Sequence, residues 1–286
     1  MPQPGEIRFA DSLEDAASLL AADPEMVPMA GATWLMRADL RHEARPASYL
    51  ALSRIKALRQ IEMGAHEVSI GAMATHAQIA EALTGDTPPR GLHTAADVSA
   101  NPGVRRLATL GGNICADGFA AADLVPALLA LSADIEVMRA GKTQRMPLAD
   151  FLLAPTGGSR GLLTRAIIAR DAGDSAHMRL TMRAAGDYPV AVISAWASGD
   201  MQTLRIALGA VEAKPRRWRD LEQALMTECA GALPDPAHAE EIAKMHLQGI
   251  SGRDAVDAKG AYRLRVLPHL VGRAFAALAQ HRGGTA

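Results

Sequence analysis

Apolar residues recur at two spacings along this chain of 286 residues, and the change from one to the other outlines its elements. In DSLEDAASLLAA, Asp11 and Ser12 are capping residues, each followed three positions later by an acid, Glu14 or Asp15. Leu13, Ala16, Ala17 and Leu20 then share one helical face, which predicts a short amphipathic helix. THAQIAEAL repeats the arrangement, with Thr75 and Gln78 as a capping box ahead of Ile79 and Leu83. EMVPMAGATWLM reads as a short apolar strand entering a glycine turn, and YLAL and LRQIEM as short strands. HEVSIGAM alternates Val68 and Ile70 with polar neighbours, as a half-buried strand does. AADLVPALLALSA predicts a buried helix, and DIEVMRAGKTQRMPL a strand pair turning near Gly141 and Lys142.

From about Thr164 the texture becomes β-rich. TRAIIAR, AHMRLTMRAA, PVAVISAWAS and MQTLRIALGAV predict successive strands, the last two joined by a Gly199-Asp200 turn. Helical texture returns in RWRDLEQALMTECA, HAEEIAKMHL and GAYRLRVLPHLVGRAFAALAQ. Pro268 lies inside the last of these. A proline there costs about 3 kcal/mol unless the helix kinks or begins anew, so a bend is expected. The change of texture sets a boundary near residue 175, between segments 1–175 and 176–286.

Composition narrows the function classes. The length suggests two domains, and 49% hydrophobic with 21% charged residues suits a globular protein with a sizeable core. A net charge of −1 gives no electrostatic reason to expect a nucleic-acid partner or an anionic membrane surface, and 3% aromatic residues are too few for a base-stacking platform. The two cysteines, Cys115 and Cys229, form no CxxC, so neither a disulfide framework nor a cluster or zinc site is expected. MPQPGEIRF lacks the basic start and apolar run of a leader, and no apolar run approaches the roughly 20 residues of a membrane span. A cytoplasmic protein with no direct membrane insertion is the expectation.

GxGxxG, GxxxxGK[ST] and HExxH are absent, which removes the dinucleotide fingerprint, the P-loop and the common zinc-hydrolase signature. Two glycine turns remain, AGATW (Ala30 to Trp34) and TLGGN (Thr109 to Asn113), each placed like a strand-to-loop exit. Bare backbone lets N–H groups converge on an anion without a cationic side chain, and Thr33, Thr109 and Asn113 add polar groups. Two such nests from distant parts of the chain can share one pyrophosphate; equally, glycine turns often just turn.

The chain resembles the FAD-binding medium subunit of the xanthine dehydrogenase and carbon monoxide dehydrogenase family of molybdenum hydroxylases. AGATW is similar to that family's AGGxS or AGGxD, and VRRLATLGGNICADGFAAADLVPALLAL to its IRNxGTIGGN with the following aspartate and D-L-P. GLLTRAII, MRAAGDYPVAVISAWA, LGAVEAKPRRWRDLEQAL and AKGAYRLRVLPHLVGRAFAAL resemble its later segments in the same order, so the likeness is collinear over essentially the whole chain.

The resemblance implies an α+β fold: a PCMH-type FAD-binding domain of two α/β subdomains over 1–175, then an antiparallel sheet with a helical bundle over 176–286. It implies FAD in this chain, held by Ala30, Gly31, Ala32, Thr33 and Trp34 on one side and by Thr109, Gly111, Gly112 and Asn113 on the other. Asp123 matches an acid on a flavin hydroxyl or ribose, although an acid opening a helix also suits the helix dipole without any ligand. Leu163 matches an apolar neighbour of the isoalloxazine. Arg179 falls where some relatives place a lysine beside the ring, and Tyr188 matches the tyrosine of the DY segment. Partners are implied as well: a large molybdopterin-binding subunit and a small subunit with two [2Fe–2S] clusters, assembled as a dimer of heterotrimers. The chain would carry electrons from those clusters to an external acceptor. A scaffold subunit that has lost its flavin and a stand-alone flavin oxidase are the competing readings.

Two departures bear on flavin binding. Ala32 replaces a glycine and puts one Cβ into the nest, which is tolerable only if the residue keeps a negative φ. Trp34 replaces a small polar residue, and its indole either donates a hydrogen bond or stacks on the cofactor. Cys115 is expected as a small buried residue. KPRRWR (Lys214 to Arg219) is either a solvated face or a dock for an acidic partner.

Overall fold

Ser12 and Asp15 satisfy the opening of the first helix reciprocally. The Ser12 hydroxyl accepts from the Asp15 amide at 3.0 Å, the Asp15 carboxylate accepts from the Asp11 amide at 3.0 Å, and the helix runs Leu13–Ala22. The same chemistry opens the helix His76–Ala82, where Gln78 Oε1 accepts from the Thr75 amide at 3.0 Å. These belong to a computed structural model that describes residues 5–84, 89–139, 141–154, 160–171, 173–183 and 187–283. The beginning of MPQPGEIRF and residues 184–186 of the MRAAGDYPV segment lie outside them.

The chain is divided by packing into two compact units. The first comprises 1–79, 102–117 and 133–168. It contains a parallel three-stranded sheet in the order β1-β3-β2, from β1 (Glu6–Phe9), β2 (Val27–Met29) and β3 (Ser48–Ala51). It also contains a five-stranded sheet, β4-β5-β8-β6-β7. Two hairpins supply four of those strands, β4 (Ile61–Met63) with β5 (Glu67–Gly71) and β6 (Asp134–Arg139) with β7 (Lys142–Pro147). β8 (Leu162–Ala169) lies between them, and Gly141 takes φ +72° at the expected turn. LRQIEM is only half strand, because Lys56–Arg59 forms a 3-10 turn before β4.

The second unit comprises 80–101, 118–132 and 169–286. Its antiparallel sheet runs β12-β11-β10-β9, from β9 (Gly173–Thr181), β10 (Pro189–Ser198), β11 (Leu204–Gly209) and β12 (Arg216–Arg217). Ala191, Ile193, Ala195 and Ala197 of β10 pack into one core with Leu221, Ile242, Leu267, Phe275 and their neighbours. That is the expected helical bundle, made by Arg219–Glu228, Pro236–Met245 and Gly260–Gly283. The last helix runs on through Pro268 and does not begin anew there.

Alternation turns Val190, Val192, Ser194 and Trp196 to the opposite face of β10. Two helices from the first half of the chain, Arg90–Val98 and Leu124–Ala130, pack on the same sheet. A Cβ on Gly209 would lie 2.4 Å from Pro126 Cγ, so the second of these helices sits directly on β11. The sheet is therefore covered on both faces. Among the described residues, no helix is long and apolar enough to cross a membrane.

Candidate functional site

β2 ends at Met29 and hands the chain to the first glycine turn. Gly31 lies against the Leu107–Ala108 peptide, and a Cβ built on it would sit 1.8 Å from the Leu107 carbonyl oxygen. No side chain fits there, so the bareness of Gly31 lets the turn touch the approach to the second motif. Leu107 was not foreseen as a site residue; a leucine 59% exposed is the signal that marks it.

Ala32 departs from expectation: its φ is +58°, not negative. An L-residue in that region costs roughly 1–2 kcal/mol, and the conformation persists because its neighbours are fixed on both sides. Its consequence is favourable for anion binding, since a left-handed residue can turn the N–H groups around it toward one side. Among the described residues, the amides of Gly31, Ala32 and Thr33 have no acceptor, while the Ala32 and Trp34 carbonyls accept from the Met36 and Arg37 amides. The turn thus presents three consecutive donors, which fits a diphosphate.

Trp34 is held on two sides. Its indole N–H donates to the Asp117 carbonyl at 3.0 Å, and the Arg41 guanidinium lies 3.8 Å above its ring. Arg41 also donates to the Trp34 carbonyl at 2.9 Å and pairs with Glu43, whose carboxyl it holds below the usual carboxylate range.

The second motif behaves differently from an open nest. It follows the short helix Pro102–Arg105, not a strand, and Thr109 makes one isolated bridge with Thr75. Thr109 caps the helix Leu110–Cys115 by accepting from the Gly112 amide at 3.1 Å. The Leu110, Gly111 and Asn113 amides are bonded to Ala74, Ala72 and Thr109 carbonyls. A Cβ on Gly111 would come within 3.0 Å of Ala72, whereas one on Gly112 would meet only the Thr109 hydroxyl, at 3.1 Å. Gly111 therefore serves chain packing, and Gly112 keeps an open face. Leu163 is buried in β8, opposite Val137. Cys115 is exposed, contrary to expectation, yet protein around the thiol desolvates it and pushes it up to about 11. It stays a thiol at neutral pH.

The second unit holds the other expected residues. Asp123 stands immediately before the helix Leu124–Ala130 and is 2% exposed, but its carboxylate does not cap that helix. It accepts from Arg179 Nε at 3.0 Å and lies 3.4 Å from His177 Nε2. His177 Nδ1 is 2.8 Å from the Ser194 hydroxyl on the neighbouring strand. Arg179 also donates to the Val98 carbonyl and to the Asp187 carbonyl, each at 2.8 Å. Tyr188, next along, is 43% exposed and meets the Phe119 ring edge-on at 5.6 Å. Asp123, buried, and Arg179, largely buried, thus form one ion pair that also holds the carbonyl of Asp187, the residue before Tyr188. His177 and Ser194 were missed because a histidine and a serine on separate strands leave no spacing signal.

KPRRWR is largely committed inside the unit: Arg216 pairs with Glu212, and Arg217 with Glu222.

The family model for the FAD binding domain in molybdopterin dehydrogenase matches residues 5–168. The chain belongs to this family. The model for the CO dehydrogenase flavoprotein C-terminal domain matches residues 176–278. The chain is 27% identical over 275 residues to the nicotine 6-hydroxylase medium subunit of Paenarthrobacter nicotinovorans, covering 93% of this chain and 95% of that one. It is 26% identical over 287 residues to a putative xanthine dehydrogenase FAD-binding subunit of Escherichia coli (strain K12), covering 96% of each. Quinoline 2-oxidoreductase from Pseudomonas putida 86 shares the fold at a TM-score of 0.81 and 24% identity, over 97% of each chain. CO dehydrogenase from Oligotropha carboxidovorans does so at 0.86 and 21%, over 98% of this chain and 99% of that one.

The α+β reading of the sequence holds, and the chain is an FAD-binding component of a molybdopterin-dependent oxidoreductase. Both unusual residues of the first turn are accommodated locally. Ala32 takes a left-handed backbone conformation natural to glycine, and the Trp34 indole is taken up by Asp117 and Arg41.

Proposed function

We propose that this chain is the FAD-carrying electron-transfer subunit of a heteromeric molybdenum hydroxylase. It receives electrons from the [2Fe–2S] clusters of a small partner subunit and delivers them to an external acceptor. The observation that carries this reading is family coverage from residue 5 to residue 278 in two consecutive domains. The relatives named as medium and FAD-binding subunits support it. A large molybdopterin-binding subunit completes the heterotrimer, which pairs as a dimer in the cytoplasm.

Bound FAD supplies the ring that accepts and releases electrons. The chain supplies position. The amides of Gly31, Ala32 and Thr33 hold the diphosphate, with Ala30 and Trp34 flanking them. Thr109 and Gly111 fix the second motif, so that Gly112 and Asn113 lie along the cofactor, and Leu163 adjoins the ring. Asp123 and Arg179 act as positioning residues for Tyr188. Outer-sphere electron transfer requires no general acid or base, and none is assigned.

The test is to purify the chain with its co-expressed partners and record its spectrum. A flavin spectrum that bleaches on adding the complex's hydroxylation substrate is the expected result. An intact complex without flavin would establish the scaffold reading instead, and substrate turnover by the lone chain a stand-alone oxidase.

A further inference from the structure

Trp34 lies two positions after the left-handed Ala32, and its side-chain contacts reach beyond the turn that contains it. Its indole N–H reaches the Asp117 carbonyl, 83 positions along the chain, and Arg41 is bonded to its carbonyl while stacked on its ring. On the other side of Ala32, Gly31 is pressed against the Leu107 carbonyl. The two contacts bracket the one strained residue of the turn: Leu107 precedes the second glycine motif, and Asp117 follows the helix Leu110–Cys115 that this motif opens. A left-handed alanine persists only where its surroundings over-determine it. These contacts supply that constraint.

We propose that Trp34 is a positioning residue: with Arg41 it clamps the first glycine turn to the exit of the second and holds the amides of Gly31, Ala32 and Thr33 convergent before the diphosphate arrives. A glycine at 32 would need no such constraint, because glycine takes positive φ without strain. The proposal rests on the flavin reading above, but the clamp itself is a property of the flavin-free chain.

The experiment compares the full-length wild type with Trp34→Phe, which keeps a ring for Arg41 and removes the N–H donor. Amide hydrogen exchange is measured on flavin-free protein, and FAD association and dissociation are measured separately. Losing the clamp lowers the population of the competent turn. It should speed exchange around 31–33 and 116–118 and slow FAD association by about 3- to 10-fold, with dissociation and the bound-flavin spectrum unchanged. A role in general stability would instead raise exchange throughout the unit. Arg41→Met, which removes the stacked cation, should act in the same direction and serves if Trp34→Phe does not fold. Unchanged local exchange with an unchanged association rate in the folded variant would overturn the proposal. If the wild type takes up no FAD, the flavin reading fails, and the exchange arm alone decides the clamp.

Discussion

Ala32 shows how far a single side chain can be read from sequence. Replacing the family's second glycine by alanine is visible at once, and steric preference argues for a negative φ. The structure has +58°, because the constraint comes from residues no local rule connects: Leu107 against Gly31 and Asp117 against Trp34. Gly31 itself was legible as a place for bare backbone, whereas its close approach to Leu107, which also requires that bareness, was not. Ala32→Gly should relieve roughly 1–2 kcal/mol of left-handed strain, offset by about 0.5–1 kcal/mol of extra freedom in the unfolded chain. The net expectation is a gain of about 0.5–1 kcal/mol in denaturant unfolding of the flavin-free protein. A loss of stability would mean that the alanine Cβ makes packing contacts worth more than its strain.

Helices and strands were the most readable level, because periodicity and caps act over a few residues. Ser12 with Asp15 and Thr75 with Gln78 formed the expected boxes, and the β6–β7 and β10–β11 hairpins turned where glycine and aspartate stood. What the local pattern did not convey was how elements are tied together. Arg179 donates to the carbonyl of Val98, the last residue of the helix Arg90–Val98, and to the acid that precedes the helix Leu124–Ala130, placing each charge where it suits the helix dipole. Both residues were singled out through the family likeness, whereas their pairing was not. Breaking such a pair strands a charge and typically costs about 3–5 kcal/mol when it is buried. Arg179→Met and Asp123→Asn should therefore each destabilise the chain by about 3 kcal/mol, and the double variant by about 1–3 kcal/mol less than their sum. Additive effects in a denaturation cycle would show that the two side chains do not act on one another.

The whole molecule is divided in two ways that do not coincide. The family domains are continuous in sequence, 5–168 and 176–278, whereas the second compact unit draws on three separate segments, 80–101, 118–132 and 169–286. The sheet explains the difference. One face of β10 joins the C-terminal bundle, while the helices Arg90–Val98 and Leu124–Ala130 pack on the sheet from the first half of the chain. Texture along a sequence cannot reveal this, since each buried helix looks alike whichever sheet it covers. A fragment of residues 176–286 would keep its bundle but lose those two helices, along with Ser175, whose hydroxyl accepts from the Gly91 amide at 2.9 Å. Val192 and Ala207, both fully buried, would face water, and His177 and Arg179 would lose Asp123 as a neighbour. An exposed apolar sheet face of this kind favours self-association. The fragment is expected to bind a hydrophobic dye and to unfold without a cooperative transition, where the full chain does neither. A monomeric fragment with a sharp thermal transition would mean that the bundle face alone sustains the sheet, and that the two early helices are passengers on it.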